Sequence, residues 1–305
     1  MKLYLEIDIQ MNKIGAGYLF SYWTFYKRRH EIVSKGLADF FDFDGDFMID
    51  SGAFSAFNSD AFVGVYEYMK FIKELQPESN VTVVNLDVIG DPEESKQNYD
   101  YLVKKTGAKI LPVVHYPSTF PNDLITNNYS NNGYVGLGGM VRALRILTKN
   151  QKDHGSPQQV ARYLQKLKIN RKYHGFGVGS PFHQLAFNRV LYSVDWVGYR
   201  KNAATCGVYT PVGTRVIPEA RKREEKKYAP LSKEEFEKYR PPFIDCYEKL
   251  HLKGTEGWKW RALWSVWTFL CVDEYKEVME RNKYLINLKK ITNKPNTANL
   301  SELME

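Results

Sequence analysis

Cysteine is nearly absent: Cys206, Cys246 and Cys271 are the three in a chain of 305 residues. None stands at CxxC or CxC spacing or beside a histidine at zinc-finger intervals, which argues against a disulfide framework and against a structural zinc site. Long apolar runs are lacking as well. No stretch approaches the roughly 18 residues that a membrane span needs, and 26% of the residues are charged, so a soluble protein with no membrane partner is expected. The opening "MKLYLEIDIQ" alternates like a strand and carries acids, unlike the basic-then-apolar plan of a signal peptide, and the expected location is cytoplasmic. Acids also fall short of bases. The formal charge of +8 and pI near 9.1 suit a polyanionic partner, although such a balance is common in proteins that bind no nucleic acid.

What is present is enough apolar material, 43% of residues, for one barrel-sized α/β domain or two smaller ones. Short β-branched or aromatic runs recur: "KLYLEIDI" (2–9), "DFMID" (46–50), "VTVVNLD" (81–87), "KILPVVHY" (109–116), "YVGLGG" (134–139), "YHGFGVG" (173–179) and "SVDWVG" (193–198). Helix-like patterns lie between them. "DPEESKQNYDYLVKKTG" opens with Asp91 as cap and Pro92 in the first turn and closes on Lys104, Lys105 and Gly107; "SPQQVARYLQKLKI" repeats the plan from Ser156. Strand followed by helix, about seven times over, predicts parallel βα units, and the number favours closure into a TIM-like (β/α)8 barrel. A last unit is expected from "CGVYTPVGTRVI" (206–217), though Pro211 and Gly213 also suit a surface hairpin. The barrel is therefore assigned to residues 1–217. Residues 218–305 read as a charged linker and a tryptophan-rich helical extension that packs on the barrel through Trp260, Leu263, Trp264 and Trp267, with no zinc subdomain.

In such a barrel the active site lies at the carboxyl ends of the strands. Those positions hold Asp50, Asp87, His115, Gly138 with Gly139, Gly177 with Gly179, and Asp195. Taken singly, each Asp could be a turn former or helix cap. However, Asp91 already supplies the cap after Asp87, and Asp195 sits between Val194 and Trp196, where an acid is costly unless paired or used. Two acids across a pocket are equipment for chemistry at a sugar anomeric carbon. Phe54 and Phe176 could sandwich a flat ring, with Asp87 accepting from ring N–H groups; a purine fits. The competing reading of both rings is core packing.

These pieces resemble the tRNA-guanine transglycosylase superfamily, and within it the compact phage and bacterial DNA transglycosylases of the DpdA type. "DSGAF" (50–54), "NLDVIGDP" (85–92), "GLGGMV" (136–141), "GFGVGSP" (175–181) and "SVDWVGYRKNA" (193–203) look like five family segments in family order. The resemblance implies a barrel enzyme that swaps guanine in a polynucleotide for a 7-deazaguanine such as preQ0 or a derivative. Asp195 would be the nucleophile at C1′ and Asp50 would handle the proton of the departing and arriving bases. Asp87 would read the base edge, Phe54 and Phe176 would stack on it, Gly138 and Gly139 would contact its carbonyl side, and Ser51 would help the turn. His115 stands where the tRNA enzymes carry glutamine. Exchange of one glycosidic bond for another needs no cofactor, and no metal is implied here because the family's three-cysteine, one-histidine zinc site is missing.

That loss, and a segment after Asp195 without the tRNA enzymes' Pro-Thr-Arg, point to DNA as the polymer partner and a free 7-deazaguanine as the other substrate. A helper protein is left open, and a phage-encoded chain would work in the host cytoplasm. Arg200 and Lys201 then stand where a backbone phosphate contact would lie. Arg142, Arg145, Lys149, Arg215, Arg221, Lys222 and Arg223 are further candidates for holding the strand, against the plainer reading of a solvated basic surface. The alternatives are a zinc-less tRNA enzyme, a catalytically inactive nucleic-acid-binding barrel and a plain glycosidase or nucleosidase.

Overall fold

In a computed structural model, the residues described are 1–5, 14–59, 61–115, 129, 133–140, 157–166, 171–178, 181–217 and 228–281. Contacts divide the chain into two compact units. One comprises Met1–Lys149, Gln159–Val178 and Arg189–Trp196; the other comprises Asn150–Gln158, Gly179–Asn188 and Val197–Glu305.

The first unit holds nine strands: β1 (Lys2–Leu5), β2 (Gly17–Ser21), β3 (Phe47–Asp50), β4 (Val81–Val84), β5 (Ile110–Leu111), β6 (Val113–His115), β7 (Tyr134–Gly138), β8 (Lys172–Gly175) and β9 (Ser193–Trp196). They form one parallel sheet in the order β5-β4-β3-β2-β1-β9-β8-β7-β6. Its two end strands are consecutive pieces of a single segment. Pro112, which has no N–H to give a ladder, separates them, yet its carbonyl accepts from Gly136 N at 2.8 Å. Ile110 and Leu111 pair with β4 on one edge, while Val113–His115 pair with β7 on the other. The sheet thus curls into a nearly closed barrel.

Strand alternation sorts the side chains. Tyr4, Leu19, Met48, Val84, Leu111 and Val113 form one buried cluster, with Tyr134 and Phe176 packed against it. Residues two positions along the same strands share that inward face. The other face is apolar too, with Leu3, Phe20, Phe47, Ile49, Val83, Val114, Val135 and Val194 buried, as parallel sheets covered on both sides require.

Helices follow the strands: α1 (Tyr22–Phe25), α2 (Arg29–Lys35) and α3 (Leu37–Phe41) after β2, α4 (Ala53–Asn58) and α5 (Val65–Leu75) after β3, and α6 (Pro92–Thr106) after β4. Next come α7 (Pro157–Lys166) before β8 and α8 (Pro181–Phe187) after it. The capping predicted for α6 is observed: Asp91 Oδ1 accepts from Glu94 N at 2.9 Å, and the helix stops at Gly107 with φ +65°. The Ser156 cap expected for α7 lies outside the described residues.

Two assignments need correction. β2 was not among the expected strands; "GYLFS" is buried along four of its five residues, so it shows no alternation, and α1 follows without a turn. The segment 206–217 adds no βα unit. It is the hairpin, β10 (Gly207–Thr210) against β11 (Gly213–Val216), antiparallel, with β12 (Ala229–Pro230) beside β11. The chain reverses at Pro211–Gly213, where Gly213 has φ +120°.

This hairpin belongs to the second unit, with α9 (Gly198–Ala204), α10 (Lys233–Tyr239) and α11 (Gly254–Leu270). Trp264 of the tryptophan-rich helix is buried among Val208, Ile217, Leu231, Phe236, Tyr239, Ile244 and Leu250. Arg261, also buried, spends its guanidinium on the carbonyls of Ala203 (2.9 Å) and Leu250 (2.6 Å). No helix among the described residues is long and apolar enough to cross a membrane.

Asp91→Ala removes one N-cap acceptor from a 15-residue helix. It is expected to lower stability by about 1 kcal/mol, read as a shift of the urea midpoint at unchanged m-value.

Candidate active site

On β3 Met48 faces the barrel interior, so Asp50 two residues later does as well. The same parity turns Ser21 inward from Leu19, His115 from Val113, Gly138 from Tyr134, and Asp195 by its pairing with Tyr4. All stand at or near the carboxyl ends of their strands. The sequence-predicted acids therefore line one rim of the barrel.

The turn after Asp50 is built around Gly52. Its φ is +81°, and a Cβ there would meet Trp23 Cβ at 2.3 Å and Ser21 Oγ at 2.6 Å, so both conformation and space demand glycine. Gly52 N donates to Asp50 Oδ2 at 3.1 Å, and the fully buried Ser51 accepts from Ala53 N at 3.3 Å. The carboxylate is thereby held at the rim as α4 begins. Phe54, on that helix, is 71% exposed, presenting its ring to solvent instead of to the core.

Asp87 follows β4 and meets His115 across the rim, Oδ2 to Nε2 at 2.9 Å, with both side chains largely buried. A Cβ on Gly138 would lie 2.7 Å from His115 Cδ2, so Gly138 is the space that the imidazole occupies. Gly139 continues with φ +74°. Tyr68 lies within the fields of both Asp50 and Asp87, and its hydroxyl donates to Val84 O at 2.9 Å. Burial pushes the Tyr68 phenol far above its ordinary pKa, and the fields of Asp50 and Asp87 add to the rise.

Asp195 has a different setting. Its Oδ1 accepts from Gly177 N at 2.7 Å and lies 3.3 Å from Nε2 of the fully buried His174. His174 Nδ1 is 2.7 Å from Ser193 Oγ, which in turn hydrogen-bonds the Tyr134 hydroxyl. One direction of donation satisfies every member: Tyr134 O–H to Ser193, Ser193 O–H to Nδ1, and Nε2–H to Asp195. Burial raises the Tyr134 pKa, so its phenol keeps the proton that this chain needs. Phe176 packs over the inward face, where a Cβ on Gly136 would lie 2.5 Å from its ring, and it meets His174 edge-on at 4.5 Å. At the opposite, amino-terminal end of the strands, Tyr134 lines a cavity of about 440 Å³ with Lys2, Asp46, Lys109 and Lys172.

Two groups escaped the sequence reading. His174 drew no attention inside the run "YHGFGVG", and only its place two residues before Phe176 on an inward row marks it. Ser21 ends the unrecognised β2; its buried Oγ has no hydrogen-bond partner among the described residues and faces the rim beside Asp50.

The basic residues divide otherwise. Arg200 and Lys201 are exposed on α9 in the second unit. Arg215, in that unit too, is engaged by Glu235 at 2.8 Å. Arg142 and Arg145 lie outside the described residues, as do Lys149, Arg221, Lys222 and Arg223. Among the described residues no group of three or more His, Cys, Asp and Glu could hold a metal ion.

No known protein-family model matches the chain, and a search of curated proteins finds none that matches it in sequence.

Gly52→Ala forces a side chain into a left-handed turn against Trp23. It is expected to destabilise the fold by about 2 kcal/mol or more, measured by urea unfolding.

Proposed function

We propose that this chain is a pentosyltransferase that exchanges guanine in DNA for a free 7-deazaguanine base by double displacement. The observation that carries the reading is the environment of Asp195. Both of its described contacts, from Gly177 N and His174, engage Oδ1, which leaves Oδ2 for attack. A nucleophilic carboxylate wants this arrangement: one oxygen oriented by donors, the other directed at substrate.

The fold supports the reading at a finer level than a barrel-type sheet. Counting β5 and β6 as one strand interrupted at Pro112 gives eight strands. The sequence offsets of the seven successive pairings from Tyr4 to β9 total 183, and the closing pair, Asp195 with Tyr4, is 191 apart. The difference of eight is the stagger of a TIM-type (β/α)8 barrel, whose chemistry sits where these acids are.

In the proposed reaction the target nucleotide leaves the base stack, at a cost of a few kcal/mol that stacking on Phe176 and Phe54 offsets in part. Asp195 Oδ2 attacks C1′ as the C1′–N9 bond breaks, and guanine departs with a proton delivered to its ring through Asp50. An Asp195–deoxyribose ester remains. The incoming 7-deazaguanine gives its N9 proton to Asp50, attacks C1′ from the face that guanine left, and frees the carboxylate. Two inversions give net retention. Asp87, oriented by His115, accepts from the base N1–H and exocyclic amine.

Asp195→Ala is expected to abolish the covalent protein–DNA adduct and exchange of labelled base, with the adduct read on denaturing gels; an unchanged exchange rate overturns the mechanism. Parallel incubations with DNA and tRNA, digested to nucleosides for mass analysis, identify the polymer; free guanine without incorporation would mark a hydrolase instead.

His174→Asn withdraws one oriented donor from Asp195 while the backbone donor stays. The expected loss is about 10²-fold in the rate of adduct formation at unchanged affinity for free base, measured by rapid quench and by equilibrium binding.

A further inference from the structure

The large aromatic side chains that the described residues expose are confined to one place. Phe54, Phe57, Phe62 and Tyr66 are 71%, 61%, 82% and 60% exposed, and all fall within the segment that leaves β3 immediately after Asp50. Other large apolar side chains exposed among the described residues are aliphatic and scattered: Val103, Val197 and Leu252. Phe54 and Phe57, three apart on α4, share a helix face opposite the buried Ala56. Phe62 stands in the connection to α5, and Tyr66 is in the first turn of that helix. Leaving four rings in water forgoes about 1.5–3 kcal/mol of burial for each, and a soluble surface seldom concentrates them without an occupant.

We propose that Phe57, Phe62 and Tyr66 form a stacking platform for unpaired nucleotides flanking the one held at the rim, so that the protein engages its DNA as a locally single strand. This rests on the base-exchange reading of the rim and extends it to the form of the polymer. Three observations select the occupant. The patch is all aromatic, and flat rings stack on bases irrespective of sequence. It is continuous in the chain with Asp50 and Phe54, so a strand whose one nucleotide enters the barrel runs on across it. Finally, α4 packs against α1, which leads directly into the cationic turn Lys27-Arg28-Arg29; there Lys27 is exposed, Arg28 pairs with Glu31 at 2.9 Å, and Arg29 lies over the Tyr26 ring. Cations beside stacking rings are the complement of a phosphate backbone with splayed bases.

The test uses the full chain and a fluorescein-labelled single-stranded oligonucleotide containing guanine, with the matching duplex as comparison. Phe57→Leu, Phe62→Leu and Tyr66→Leu combined keeps apolar surface but removes the flat faces; Phe57→Tyr with Phe62→Tyr keeps them. The Leu variant is expected to bind the single strand at least about tenfold more weakly and to raise KM for DNA in base exchange with kcat maintained at saturation. The Tyr variant is expected to match the wild type. Equal single-strand affinity for the Leu variant and wild type overturns the platform, as does wild-type protein that does not bind the single strand. A dimeric wild type made monomeric by the Leu variant, with DNA affinity unchanged, also overturns it and assigns the patch to a second copy of the chain. Strand binding that depends on the rings without any base exchange supports the platform and refutes the transferase reading, so the two fail separately.

Discussion

The segment from Ile110 to His115 is hydrogen-bonded along both of its edges, its first half to β4 and its second half to β7, and the geometry of the rim descends from that. A sheet with free edges would leave rows of unpaired N–H and C=O groups and would spread the strand ends along a line. Near-closure instead gathers them around one rim. Pro112 sits where the segment passes from one neighbour to the other; lacking an N–H, it interrupts the ladder, yet its carbonyl still reaches Gly136. With the rim formed, strand alternation alone directs Asp50, His115, His174 and Asp195 to the inside.

The acids then diverge through their neighbours. Asp50 is held by the backbone of its own turn, Asp87 by an imidazole, and Asp195 by a backbone N–H and a histidine backed by Ser193 and Tyr134. Three carboxylates on one rim thus stand in three different supporting sets. Glycine makes the arrangement possible by vacating volume. Gly136 and Gly138, both inward, leave room for Phe176 and His115, so the rings occupy the interior without widening the barrel.

Much of this is legible in the sequence. Strands ending in Asp50, Asp87, His115 and Asp195 stood out because an acid or imidazole closes an apolar run, and α6 was announced by Asp91 and Gly107. What escaped notice did so for physical reasons. β2 is buried on both faces and so lacks the two-residue period. For 207–216 the hairpin stood as the alternative on Pro211 and Gly213, and preferring a βα strand failed because pairing is a long-range property. His174 hides because a buried imidazole after Tyr173 has the same local pattern as a core side chain, and its partners Ser193 and Asp195 lie some twenty residues away. The exposure of Phe57, Phe62 and Tyr66 was invisible for the converse reason: aromatic residues at helical spacing look like core.

The row that places Tyr134, Ser193, His174 and Asp195 on one face rests on strict two-residue periodicity. Swapping one of these side chains for another disturbs a single contact, but adding or deleting one residue within β8 or β9 rotates everything beyond it by half a turn and sends Asp195 to the outer face of the sheet. The loops are thus free to lengthen while the strands keep their count, and an inserted residue is borne better outside the intervals 172–177 and 193–196.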